Sequence, residues 1–213
     1  MPDFKRSYSQ FAEDLLIENY LGKRQGVRYI DVGCLWPVLL SNTYRFYKAG
    51  GSGLCIDPNP TIAAEYRAAR PNDIFFNAGV SSREGRLDYA MFKNPVFNTF
   101  DPARRAKVMN SGKPGRNLLE DVAVPVKPLS AILDEVDWWS NPAPTDLLGI
   151  DVEGHEMDVL RSAPLDRLAP TLIVCEVFSP IETLGETEIA TYLKAQGYRI
   201  VGATGHDAFF KRV

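Results

Sequence analysis

Apolar and polar positions alternate along this chain in two rhythms, and the switch between them marks out the elements. After Ser7-Tyr8-Ser9-Gln10, the residues Ala12, Leu16 and Tyr20 recur every four positions, with Phe11 and Leu15 beside them. That is the stripe of an amphipathic helix, predicted over 7–21 and closed by Gly22. Ser7 with Gln10 three residues on matches a capping box. Short apolar runs then alternate with helical stretches. Tyr29 to Val32, Gly53 to Asp57 and Asp73 to Gly79 read as strands. Asn42 to Ala49 and Thr61 to Arg70 read as the helices between them. This spacing indicates βαβ units and a parallel sheet.

The rhythm breaks after Gly79. Leu87 to Phe92 is a strand, and residues 93–121 are rich in Asn, Pro, Gly, Lys and Arg. A segment of that length reads as a lid or an irregular insertion. Val122 to Val126 is a strand that Pro125 places at an edge. Ser130 to Val136 is helical, and Asp137 to Pro144 is a connector. Alternation resumes with strands at 147–152 and 171–178 and helices at about 154–162 and 186–196. Strands at 198–203 and 208–213 form a closing hairpin around Gly205-His206-Asp207. The expected architecture is one α/β domain over 1–213. It has a Rossmann-like, doubly wound, mostly parallel seven-stranded sheet ending in an antiparallel hairpin.

Composition adds exclusions. The 213 residues are 45% hydrophobic and 24% charged, with a net charge of −3. Such a chain can build its own core and carries no electrostatic footprint for nucleic acid. No apolar run reaches the ~18–20 residues that span a bilayer. Met1 to Arg6 lacks the apolar core of a signal peptide, so a cytoplasmic location is expected. Cys34, Cys55 and Cys175 are three, far apart and without a CxxC pair. They read as free, buried thiols rather than a disulfide or zinc framework.

Open α/β sheets bind ligands beyond the carboxyl ends of their strands. Asp31, Asp57 and Asp151 each end a predicted strand, which gives that rim a shared acidic character. An aspartate closing the second strand can accept hydrogen bonds from both ribose hydroxyls of an adenine nucleoside. A dinucleotide would also need GxGxxG after the first strand. Asp31-Val32-Gly33-Cys34-Leu35-Trp36 has one glycine and a bulky Trp, so no pyrophosphate cradle exists. A nucleoside without pyrophosphate still fits, and S-adenosylmethionine is the common one.

A series of motifs occurs in order: Ser9-Gln10-Phe11-Ala12-Glu13-Asp14, Asp31-Val32-Gly33, Ser41-Asn42-Thr43-Tyr44, Asp57-Pro58-Asn59-Pro60, Asn98-Thr99-Phe100 and Ile150-Asp151-Val152-Glu153-Gly154-His155-Glu156. Together, over residues 7 to 178, they resemble the FkbM-type methyltransferases. The resemblance implies a class I methyltransferase fold and O-methylation, often of sugars or secondary metabolites. The chain departs from that pattern at Ala12, where glycine is expected, and at Cys34-Leu35-Trp36, where smaller or polar residues are usual.

The candidate cofactor contacts are Gln10, Asp31, Gly33, Cys34, Ser41, Asn42, Asp57, Pro58, Asn77 and Ala78. The candidate catalytic residues are Asp151, Glu153, His155 and Glu176. Asp151 faces the reacting end or caps the next helix. Glu153 and His155 stand just past it as candidate bases. Glu176 is a lone carboxylate in an apolar strand, costly unless it has work to do. Asp151 with Glu176 could hold Mg²⁺, but no metal is expected to be required. Glu156 reads as a helix-start acid, His206 as structural and Trp138-Trp139 as a loop anchor. Arg104-Arg105-Ala106-Lys107 reads as a solvated helix face that could instead meet an anionic substrate. The expected partner is a small hydroxylated acceptor, with no nucleic acid or membrane insertion; oligomeric state is open and a homodimer possible. Two rival functions are a nicotinamide-dependent sugar oxidoreductase and a non-catalytic nucleoside-binding module.

Overall fold

A computed structural model describes residues 6–213. Met1 to Lys5, which carry most of the leader reading, lie outside the described residues. The strands are β1 (Arg28–Val32), β2 (Ser52–Ile56), β3 (Ile74–Phe76), β4 (Gly79–Val80), β5 (Gly85–Phe92), β6 (Leu118–Lys127), β7 (Leu147–Ile150), β8 (Leu172–Glu176), β9 (Tyr198–Ala203) and β10 (Asp207–Arg212). Seven of them form one sheet in the order β3-β2-β1-β7-β8-β10-β9. The first five run parallel, and β10 is antiparallel to both β8 and β9. The strand order reverses between β1 and β7. This is the Rossmann-like, mostly parallel seven-stranded sheet with an antiparallel end that the alternation predicts.

The helices are α1 (Glu13–Tyr20), α2 (Tyr44–Lys48), α3 (Ala63–Ala69), α4 (Pro102–Asn110), α5 (Leu129–Glu135), α6 (Glu156–Ser162), α7 (Leu165–Leu168) and α8 (Glu188–Ala195). Neighbouring strand residues point to opposite faces of the sheet. Ile30, Leu54, Leu148 and Ile173 pack against Ile132, Val159 and Leu193 of α5, α6 and α8. Tyr29, Cys55, Leu147 and Leu172 pack against Ile17, Phe46 and Tyr66 of α1, α2 and α3. Both faces are covered, so the sheet is doubly wound. Cys34, Cys55 and Cys175 are free and buried.

One buried guanidinium supports the first crossover. Arg70 is 1% exposed. Its Nε lies 2.6 Å from Asp73 Oδ2, and its Nη2 donates to the Tyr29 and Thr43 hydroxyls at 3.0 Å. It also reaches the Pro37 carbonyl and the Ser41 hydroxyl, both at 3.3 Å. A buried charge is tolerable only when paired and hydrogen-bonded in this way. The network pins the loop 34–43 against the sheet.

Three local expectations need correction. The capping box does not form, and α1 begins at Glu13 rather than Ser7. The buried Asp14 carboxylate gathers the Ser7 hydroxyl at 2.7 Å, the Ser9 hydroxyl at 3.1 Å and the Tyr8 amide at 2.9 Å, folding that segment back over the helix start. Pro125 does not make β6 an edge strand, because β6 lies between β4 and β5 in a second, three-stranded sheet. β4 is two residues long and pairs only with Val126 and Lys127, so Pro125 needs a partner on one side alone. Finally, the predicted strand over 73–79 is two strands, β3 in the large sheet and β4 in the small one.

Residues 93–121 carry a 3₁₀ turn at Pro95–Phe97, then α4, then the start of β6. Asp101 caps α4 through the Ala103 amide at 2.8 Å, with Pro102 in the first turn. Mutual hydrogen bonds between Ala90 and Thr99 bring the segment back along β5.

Ala12 has φ of 67°, in the left-handed region where a side chain costs about 1–2 kcal/mol. This is the position where the sequence pattern leads one to expect glycine. Glycine would relieve the strain and lose some of the gain to unfolded-chain entropy. Ala12→Gly is expected to raise the free energy of unfolding by about 0.5–1 kcal/mol in urea titration. A loss of stability would contradict this reading of the turn.

Candidate functional site

Three strand ends converge where the sheet reverses. The Gly33 and Cys34 amides donate to the Ile56 carbonyl at 2.9 and 3.3 Å, and the Asp151 amide donates to the Val32 carbonyl at 2.9 Å. Gly33 has φ of 83°, and a Cβ there would lie 1.7 Å from the Asp151 carbonyl oxygen. No other residue fits that place. Past this junction the loops after β1 and β7 part, and a cavity of about 760 Å³ opens between them.

Of the candidate cofactor contacts, Gln10, Gly33, Cys34, Asp57, Pro58 and Ala78 line the cavity. Asp57 is 3% exposed. Its two carboxylate oxygens accept from the Leu35 amide at 2.9 Å and the Asn59 amide at 2.8 Å, each keeping a free lone pair. Burial pushes its pKa up to about 6, against the pull of those two amides. Asp31, Ser41, Asn42 and Asn77 are not in the lining. Asp31 accepts a 2.6 Å hydrogen bond from Thr43 beneath the floor. Ser41 accepts from the Thr43 and Tyr44 amides at the start of α2. Asn77 donates to the Asp57 and Asn59 carbonyls at 2.8 and 2.9 Å, which braces the turn that presents Asp57.

Of the candidate catalytic residues, Asp151, Glu153 and Glu176 line the cavity and His155 does not. His155 Nε2 lies 3.5 Å from Asp158, and its ring stands 5.7 Å from Phe100. Asp151 is exposed to the cavity, and it does not cap α6. The N-cap position is His155, which makes no side-chain cap hydrogen bond; Glu156, the first helical residue, accepts from the Gly154 amide at 2.9 Å and braces the turn before the helix. Glu153 sits at φ of 54°, held by the Thr99 hydroxyl on its carbonyl at 2.7 Å. Gly154 is required beside it, because a Cβ would meet Asp101 Oδ2 at 2.8 Å.

Asp151, Glu153 and Glu176 offer carboxylate oxygens that lie within 4.8 Å of one another. Such a set is able to hold a hard cation. It already has one cationic partner, since Arg104 of α4 forms an ion pair with Glu153 and lies 4.6 Å over the Phe178 ring. Burial, reinforced by the Asp151 charge, pushes Glu176 up to about 11. Burial also raises Asp151, with Asp207 and Glu153 adding to the effect. Glu176 therefore keeps a proton at neutral pH, and its Oε2 is buried with no hydrogen-bond partner.

Other lining residues stood outside the candidate set; among them, Arg104 read as part of a solvated helix face that could instead meet an anionic substrate, and His206 read as structural. Arg104, Arg116 and Phe97 come from the 93–121 segment, Tyr89 from β5, and Phe178 and His206 from the far end of the sheet. The His206 ring lies between Phe178, tilted at 4.8 Å, and Phe11, edge-on at 5.6 Å. The closing hairpin brings it there, because β10 lies antiparallel to β8 and its turn meets the end of that strand.

A carboxyl whose folded pKa exceeds its unfolded value gives up its proton first in the unfolded chain. Stability then falls as pH rises between the two values. For Glu176 those values are 4.5 and about 11. The melting temperature is expected to fall from pH ~5 to ~9, and Glu176→Gln, which mimics the protonated form, is expected to flatten that slope. Parallel slopes for the two proteins would contradict the assignment.

Comparison with known proteins completes the picture. No curated protein sequence matches the chain. Two solved structures resemble it distantly. One is a Pyrococcus horikoshii protein provisionally described as an RNA methyltransferase, at 10% identity and a TM-score of 0.46, covering 100% of this chain and 94% of the other. The second is a DUF574 family protein from Streptomyces avermitilis, at 11% identity and a TM-score of 0.43, covering 94% and 81%. The methyltransferase FkbM domain matches residues 23–200, a span that contains the ends of β1, β2, β7 and β8. The chain belongs to the FkbM methyltransferase family.

Proposed function

We propose that the protein transfers a methyl group from S-adenosylmethionine to a hydroxyl oxygen of a small acceptor, a sugar or secondary metabolite. One observation carries the reading. A single cavity is lined by Asp57, by the Gly33 turn and by the Asp151–Glu153–Glu176 cluster.

The residues fit that cofactor. Asp57 has free lone pairs for two ribose hydroxyls. Gly33 presents bare backbone, and Pro58, Ala78 and Val80 supply apolar surface. Bound there, S-adenosylmethionine supplies an electrophilic methyl group carried on a sulfonium. The protein's part is to orient the acceptor and to receive its proton. Asp151 is the base in this reading, because it is open to the cavity and its raised pKa makes it a better proton acceptor than an ordinary carboxylate. Glu176 retains its own proton and can donate a hydrogen bond to the acceptor. Glu153, neutralised by Arg104, positions rather than reacts. With Arg104 in the cluster, positive charge is already supplied, so turnover is expected to survive EDTA.

Two outcomes test this. Asp57 accepts hydrogen bonds fully only when ionised, so affinity for S-adenosylhomocysteine is expected to be constant above pH ~6 and to weaken below it. Asp57→Asn should bind at least tenfold more weakly at neutral pH and lose the pH dependence, as read by calorimetry. An unchanged dissociation constant, or tight binding of NAD instead, would overturn the cofactor assignment. Asp151→Asn is expected to lower kcat by ~10²-fold or more with cofactor affinity nearly intact, as for a lost general base. Full activity in that variant would remove Asp151 from the chemistry.

A further inference from the structure

The cavity is electrically lopsided. Its floor, at the ends of β7 and β8, holds Asp151, Glu153 and Glu176. Its outer wall, built by the 93–121 segment, holds Arg104, Lys107 and Arg116. The wall is basic through the geometry of α4. Arg104, Lys107 and Val108 share one helical face and turn inward. Arg105 turns away and pairs with Asp121 at 2.8 Å. Arg116 follows after the helix, with its guanidinium 4.5 Å over the Phe97 ring, another part of the same wall.

Arg104 is matched by Glu153. Among the described residues, no ion pair engages Lys107 or Arg116. Two cations thus face a shared cavity in a chain whose net charge is −3. Arranging like charges on a concave wall serves a ligand of opposite sign, because the cavity focuses their field. On the wall itself, about two positive charges have no ion-pair partner, which matches a phosphate group carrying ≈ −1.5 to −2 at neutral pH. A single carboxylate would leave one cation unmatched. The Arg116 guanidinium lies over the Phe97 ring, and its planar donor fork suits phosphate oxygens.

We propose that the acceptor is a phosphorylated molecule whose phosphate is held by Lys107 and Arg116 while its hydroxyl lies at Asp151. This rests on the methyltransfer reading and names the class of acceptor within it. The acidic floor contributes as much as the basic wall. A phosphate placed at the floor would face three carboxyl groups, so the acceptor enters in one orientation only. The same logic separates phosphorylated from free sugars, since a neutral sugar gains nothing from the wall.

The test is a titration of the wild-type protein with inorganic pyrophosphate and with acetate, by calorimetry, both free and saturated with S-adenosylhomocysteine. Pyrophosphate is expected to bind in both states, more weakly as salt rises, and acetate not to bind. The Lys107→Ala/Arg116→Ala double variant is expected to lose at least tenfold in pyrophosphate affinity. Its melting temperature and its affinity for S-adenosylhomocysteine should stay unchanged. A sugar phosphate should be methylated faster than the same sugar unphosphorylated. Absence of pyrophosphate binding, binding untouched by the double variant, or equal affinity for acetate would overturn the proposal. Because the titration is also run on the free protein, it decides the anion site even if S-adenosylhomocysteine fails to bind, which would instead overturn the cofactor reading.

Discussion

Gly33 and Asp151 touch through their backbones, and the site is arranged around that contact. A Cβ at position 33 would lie 1.7 Å from the Asp151 carbonyl oxygen, so β1 and β7 can end side by side only with glycine there. Hydrogen bonds from Gly33 and Cys34 to Ile56, and from Asp151 to Val32, bind β2, β1 and β7 into one rim. The loops beyond must then diverge, and the space they leave is the cavity. Asp57 and Asp151 are thereby fixed on a common rim by backbone geometry alone. Their separation does not depend on flexible side chains, which suits a reaction that demands alignment.

That arrangement concentrates carboxyl groups, and the protein manages the cost in several ways. Asp57 is compensated by two backbone amides. Glu153 is compensated by Arg104. Glu176 has no ion-pair partner among the described residues, and the Arg104 charge does not offset its burial, so it keeps its proton. Beneath the floor, Asp31 is bound by Thr43, and Thr43 is bound in turn by Arg70. The graded environments give neighbouring carboxyls different protonation states, the usual way one site provides both a proton acceptor and a proton donor. The 93–121 segment closes the other side. Its Thr99 hydroxyl holds the Glu153 carbonyl, and its Asp101 packs against Gly154. The wall and the floor are therefore mechanically joined as well as oppositely charged.

Much of this was legible in the sequence, for identifiable reasons. Strand-end aspartates and the glycine after β1 follow from the sheet's own rules, so Gly33, Asp57 and Asp151 could be placed on one rim without coordinates. Glu176 stood out because a carboxylate in an apolar strand needs a reason. Features set by distant partners were hidden. Asp14 captures Ser7 and Ser9 and erases the capping box. The shortness of β4 decides where Pro125 may sit. Arg104 and Arg105 are adjacent and chemically identical, and only the orientation of α4 sends one to Glu153 and the other to Asp121. His206 reaches the cavity solely because the last hairpin is antiparallel to β8. The glycine expected at Ala12 was visible as a departure, but its cause, a left-handed backbone, was not.

The central claim is that one cavity carries the nucleoside at Asp57 and the reacting centre at Asp151. The most direct measurement is a crystal structure of the protein with S-adenosylhomocysteine. The account predicts both ribose hydroxyls on the Asp57 carboxylate, the methionine portion passing Gly33, and the sulfur facing Asp151 and Glu176. A ligand seated elsewhere, or one turned so that its sulfur points away from those two carboxyls, would contradict it.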